Sequence, residues 1–184
     1  TGCNDNQIKL WSLDGKFQTA FKGHQGIVRA VEFNPDGTQL VSGSVDGTAK
    51  LWRSDGTLLT TFAQHNAPLW SVAYTSHARY GGSSNNPLIA SASGDRTVKL
   101  WRPDGTAVAT LNGHSGTVNK VAFSADGQQV ISASADGTAI IWNLNTIINS
   151  ENVLKLGCEW IKGYLHNNAD VPESDRTLCD AVSN

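Results

Sequence analysis

Serine, histidine and aspartate are the parts of a hydrolase's catalytic triad, and this chain sets them out three times. His24, Ser42 and Asp46 recur as His65, Ser91 and Asp95, and again as His114, Ser132 and Asp136. Each acid is followed six positions later by a tryptophan, at Trp52, Trp101 and Trp142. Acyl-transfer chemistry would require a serine lone pair aimed at substrate, an oxyanion hole and access from a cleft. The same groups can instead close a hydrogen-bond chain in which the indole N–H donates to the serine oxygen, the serine O–H to one imidazole nitrogen, and the other imidazole N–H to the carboxylate. Three copies at constant spacing favour that second arrangement, because repeats encode architecture and a single-substrate enzyme rarely carries one active site per repeat. The set is expected to tie a loop, two strands and a turn together.

The elements that must hold these residues are repeated as well. Tryptophans stand at 11, 52, 101 and 142 and histidines at 24, 65 and 114, so both series share the intervals of 41 and 49 residues. The stretches "NDNQIKLW", "VDGTAKLW", "GDRTVKLW" and "ADGTAIIW" show the match. The longer interval arises because "EFNPDGTQLVSGS" in one copy becomes "AYTSHARYGGSSNNPLIASAS" in the next. Runs such as "VRAVEF", "QLVSGS", "AKLWR" and "LLTTF" alternate apolar and polar residues, which predicts strands of about five or six residues. Asp-Gly at Asp14, Asp36, Asp46, Asp55, Asp104, Asp126 and Asp136 predicts two-residue hairpin turns between them. Each unit therefore reads as a four-stranded antiparallel meander. The insertion is expected to lengthen the loop between first and second strands, where His77, Arg79 and Tyr80 could meet a partner.

A four-stranded unit of this period, with Gly-His before it and a closing Trp, resembles a blade of the WD-repeat (Trp-Asp repeat) family over residues 1 to about 145. The dipeptide that names the family is nowhere complete, since each Trp is followed by Ser12, Arg53, Arg102 or Asn143, and one Gly-His is Gln64-His65. The resemblance implies an all-β fold, a β-propeller of four-stranded antiparallel blades. About three and a half blades are expected, half of a seven-bladed ring, because Thr1 aligns on Ser42, Asp5 on Asp46 and Trp11 on Trp52. It further implies a non-catalytic scaffold for protein partners, with no cofactor. The residues three and five positions after each histidine are expected at the rim of the central channel: Ile27 and Arg29, Pro68 and Trp70, Thr117 and Asn119. Trp and Arg are the side chains most often found as interface hot spots, which singles out Trp70 beside Arg29. Packing of Trp70 between blades is the competing expectation.

Residues 146–184 depart from the repeat and read as a C-terminal helical tail. In "SENVLKLGCEWIKGYLHNN", Leu154, Cys158, Ile161 and Leu165 share a helical face, and "ESDRTLCDAV" after Pro172 reads as a second short helix. Around "GCEW", "YL" and "SDRTLC" the tail resembles the segment that closes cyanobacterial multidomain WD-repeat proteins. That likeness implies an alternative role as a regulatory segment of a larger signalling enzyme, kinase-like or NTPase-like, whose catalytic domain lies upstream. The chain itself contains no phosphate-binding loop or kinase motif.

Composition narrows the partners. A net charge of −2 over 184 residues, with Lys and Arg scattered singly, makes no basic stripe for a nucleic acid backbone. Cys3, Cys158 and Cys179 are too few and too far apart for a disulfide framework or a zinc site, which points to a reducing, cytoplasmic setting. No apolar run approaches the ~18 residues of a membrane span. An open half-ring would expose an apolar blade face, so self-association is expected of the chain by itself.

Overall fold

The structure, a computed structural model, is described for residues 1–80 and 83–148, the side chains of 76–86 excepted. Among the described residues thirteen strands form four antiparallel sheets in chain order. The first pairs β1 (Ile8–Trp11) with β2 (Phe17–Phe21), and the antiparallel bridge of Gly2 to Ile8 adds the end of a preceding strand. That bridge repeats the register of Gly43 on Ala49 in the next sheet, as the sequence alignment requires.

The second sheet holds β3 (Val28–Phe33), β4 (Gln39–Ser44), β5 (Ala49–Arg53) and β6 (Leu58–Phe62). The third holds β7 (Leu69–Tyr80), β8 (Ser83–Ser93), β9 (Thr97–Trp101) and β10 (Ala107–Asn112). In the fourth, β11 (Val118–Phe123), β12 (Gln129–Ser134) and β13 (Ala139–Asn143) pair in order, and a short helical turn, 144–148, follows. Strands β3, β7 and β11 lie next to one another, so the first strand of each complete unit faces its counterpart, in the blade order of an open propeller.

The apolar core lies in the seams between sheets. Ile8, Phe21, Val28, Leu40 and Trp52 fill the first seam, and Val41, Leu51, Phe62, Leu69, Val72, Ile89 and Trp101 fill the second. Ala90, Val98, Leu100, Val118, Val121 and Val130 fill the third, where Leu144 and Ile148 of the helical turn join them. A strand buried on both faces explains why "QLVSGS" is almost wholly buried although its letters alternate.

Two local expectations need correction. The insertion does not form a loop: β7 and β8 run to 12 and 11 residues, Ala78 pairs with Asn86 and Tyr80 with Ser83. Antiparallel pairing thus continues outward to Tyr80 and Ser83. The side chains of His77, Arg79 and Tyr80 lie outside the described residues.

The Asp-Gly turns are not two-residue hairpins either. Ser44 N–H donates to Thr48 O at 3.1 Å and Gly47 N–H to Ser44 O at 3.2 Å, which is a three-residue loop with glycine last. Gly47 takes φ +80°, the left-handed conformation that ends a type I turn in a bulge. The tail helices expected after residue 149, with Leu154, Cys158, Ile161, Leu165, Trp160 and Tyr164, lie outside the described residues.

Candidate functional site

Each His-Ser-Asp-Trp set is drawn from four elements. His24 precedes β3, Ser42 is in β4, Asp46 is in the turn to β5 and Trp52 is in β5. Trp52 Nε1–H donates to Ser42 Oγ at 2.8 Å, and His24 Nε2 lies 2.7 Å from the same oxygen. His24 Nδ1 is 2.8 Å from Asp46 Oδ2. In the next unit the matching distances are 2.9, 2.8 and 2.7 Å, and in the last 2.8, 2.8 and 3.0 Å. All three serines are completely buried. With its proton directed to imidazole and its oxygen receiving the indole, such a serine cannot meet a substrate carbonyl unless the blade opens.

Further donors, which the sequence reading passed over, complete each carboxylate. The backbone N–H of Gln25, Asn66 and Ser115 donates to the same Oδ2 that faces the histidine, at 2.8, 3.2 and 2.9 Å. Thr48, Thr97 and Thr138 donate hydroxyl and backbone N–H to the other oxygen. A second serine, Ser44 or Ser93, donates to a carbonyl of the histidine loop. The signal was present in the text: "SGSVDGT", "SASGDRT" and "SASADGT" repeat the second Ser and the Thr as faithfully as the first Ser and the Asp.

These surroundings set the protonation states. Burial pushes the His24 and His65 imidazoles below their ordinary value, only partly offset by Asp46 and Asp95. For Asp46, burial acts upward, but the hydrogen bonds from Thr48, Gln25 and His24 outweigh it and hold the carboxyl at about 2. Asp95 and Asp136 are lowered as well. The first sheet supplies a contrast: Asp5, aligned with Asp46, pairs with Lys9 at 2.6 Å in place of an imidazole, and Trp11 is exposed. Among the described residues no group of three His, Cys, Asp or Glu could hold a metal, and no described helix is long and apolar enough to cross a membrane.

The second candidate site lies at the start of β3, β7 and β11. Arg29, Trp70 and Asn119 are all exposed, and Ile27, Pro68 and Thr117 are half-buried beside them. Pairing with the neighbouring strand slips between Val28 and Ala30, between Leu69 and Ser71, and between Val118 and Lys120. Each of the three exposed residues is thus the extra residue of a β-bulge, a device that turns a side chain out of the pleat. The Arg29 guanidinium lies 4.7 Å from the centre of the Trp70 ring, joining two sheets by a cation–π contact. Trp70 therefore both packs across a seam and shows 38% of its surface.

Comparison with known proteins follows the repeat. The family model described as WD domain, G-beta repeat matches residues 15–53, 56–102 and 105–143. The chain is 43% identical over 49 residues to the small ribosomal subunit protein RACK1y of Oryza sativa subsp. japonica, 26% of this chain and 15% of that protein. It is 44% identical over 48 residues, 26% of this chain, to the ribosome biogenesis protein YTM1 of Eremothecium gossypii and, over an equal stretch, to the nuclear distribution protein nudF 2 of Penicillium rubens. The matched stretches span 11% and 10% of those two proteins.

Proposed function

The chain belongs to the WD-repeat family, and from that premise we propose that it is a rigid, non-catalytic platform for protein partners, centred on Arg29 and Trp70. The observation that carries this reading is the pairing of an exposed aromatic and an exposed guanidinium at bulges on adjacent blades. Large aromatic and arginine side chains supply most of the energy of protein interfaces, and a bulge on a closely packed sheet holds them without ordering cost on binding. Ile27, Pro68, Thr117 and Asn119 extend the face along the same rim.

On this reading the twelve residues of the His-Ser-Asp-Trp sets are struts. Complete burial of Ser42, Ser91 and Ser132 supports that role, since a nucleophile must be reachable. We place the protein in the cytoplasm, with additional blades of the same kind against its two uncovered faces. Residues 1–145 act as the propeller unit and 146–184 as its helical tail. A cyanobacterial multidomain origin, and a regulatory role beside a distant kinase-like or NTPase-like domain, rest on the tail's resemblance alone.

The test sets turnover beside binding. Hydrolysis of p-nitrophenyl acetate should not exceed that of the Ser42→Ala variant, whereas chemical cross-linking to a protein partner should be lost on Trp70→Ala in protein that circular dichroism shows to be folded. Esterase activity that disappears with Ser42 would refute the platform reading.

A further inference from the structure

Building on the platform reading, we propose that the face around Trp70 selects acidic peptides through two guanidinium groups, Arg29 and Arg96, that have no carboxylate partner among the described residues. The Arg29 guanidinium lies over the Trp70 ring, and no ion pair or hydrogen bond of its side chain occurs among the described residues, so its N–H donors are open to a ligand. A guanidinium over the ring also occupies the position where a cationic ligand would stack. The site therefore rejects basic peptides and offers a bidentate donor to a carboxylate.

Arg96 supplies the independent observation. Seven turns of this fold carry Asp-Gly with glycine at positive φ, from 66° at Gly127 to 99° at Gly56 and Gly105. Two further turns carry a side chain at that position, Asp5-Asn6 with Asn6 at φ 65° and Asp95-Arg96 with Arg96 at φ 72°. Asparagine visits that conformation with ease, which leaves Arg96 as the strained residue. A residue with a Cβ is disfavoured there, and such strain is kept where the side chain serves a purpose. The Arg96 side chain is exposed and, like Arg29, has no ion pair among the described residues.

Trp70 links the surroundings of the two arginines, its ring carrying Arg29 and its indole edge facing the turn that bears Arg96. The Trp70 indole nitrogen lies 3.6 Å from where a Cβ on Gly94 would stand, so the ring abuts the turn Gly94-Asp95-Arg96 while its face carries Arg29. A cleft of mixed polar and apolar lining opens at the adjoining seam, where Asp46, His65 and Asn66 stand beside Val45, Ala67 and Pro68, and these last three offer contact to an apolar neighbour of the carboxylate. Asp46, which lines the cleft, and Asp95, which adjoins Arg96, have their oxygens taken up by histidine, threonine and backbone donors. Two cations in a chain of net charge −2 suit a short acidic segment better than a nucleic acid backbone.

The test pans a displayed random dodecapeptide library on the 184-residue chain and counter-screens on the Arg29→Gln/Arg96→Gly double variant. Recovered peptides should carry Asp or Glu beside an apolar residue and bind the wild type at least ~10-fold tighter than the variant. The melting temperature of Arg96→Gly should not fall, because glycine relieves the turn, so lost binding cannot be put down to unfolding. Acidic peptides that bind both proteins equally would overturn the proposal. Neutral or basic peptides whose binding is lost on Trp70→Ala would overturn acid selection and leave the platform standing. Recovery of no specific peptide would overturn both.

Discussion

The Ser42 hydroxyl answers two buried groups at once, accepting from the Trp52 indole and donating to the His24 imidazole. Ser42→Ala leaves both unpaired, and each orphaned buried group costs about 1–3 kcal/mol. Urea denaturation should show the midpoint falling accordingly, with an unchanged slope. A midpoint equal to wild type would mean that the chain of hydrogen bonds contributes nothing.

The same set makes stability depend on pH. Folded His24 and His65 hold their protons less tightly than the ordinary value of 6.5, because burial penalises the charged ring. As pH falls through 6.5 the unfolded chain takes up protons that the folded chain refuses, so stability is full above that value and declines below it. Asp46, at about 2 against an ordinary 3.8, adds stability above 3.8 that is lost as pH falls through about 2. Glu32, raised by burial from 4.5, acts in the opposite sense near its own range. Melting temperature should therefore drop between pH 7.5 and 5.5, and a flat profile would contradict the assignment of neutral buried imidazoles. That His, Ser, Asp and Trp go together was legible from their spacing. That the serine is sealed from solvent was not, since burial depends on neighbouring sheets.

Strands and turns follow from local chemistry, and their departures from it come from neighbours. Alternation located the strands, yet the bulges at Arg29, Trp70 and Asn119 have no letter of their own, because a bulge is a property of two paired strands. Asp-Gly marked the turns, while loop length was set by the Ser44–Thr48 pairing and by the Thr48 N–H bond to Asp46. Gly43 shows how closely blades approach: a Cβ built there would stand 2.8 Å from Val72 Cγ1 of the next sheet. Ala92 and Ala133 hold the equivalent places, so small side chains alone fit the seam. Gly43→Val should overpack it and cost about 1–3 kcal/mol in thermal or urea unfolding. Stability within 0.5 kcal/mol of wild type, taken as about the size of a neutral surface change, would show that the seam is loose.

Across the molecule, equivalent positions have different fates according to what lies beside them. Val41 and Leu51 are 0% and 1% exposed, but Ile131 and Ile141, which occupy the same places in the last sheet, are 40% and 63% exposed. At the other end Val31 is 38% exposed where Val72 is 2%. Both outer faces are therefore built as seams and have no cover among the described residues. Sedimentation of the 184-residue chain should show concentration-dependent association, reduced by Ile131→Glu with Ile141→Lys at an unchanged melting temperature. A single monomer species at all concentrations would remove this expectation.

The repeat period, the strand-and-turn pattern, the family and the residues of each His-Ser-Asp-Trp set were determined by the sequence alone, because alternation, turn chemistry and side-chain type act over a few residues. Tertiary structure decided which serines are sealed, which of two equivalent apolar residues meets water, and that an insertion becomes hairpin. It also decided that the Arg29 guanidinium, which the repeat register sets beside Trp70, lies over its ring, 41 residues away in the chain. Each of these depends on a neighbouring sheet, and packing between sheets leaves no periodic trace in the letters of either one.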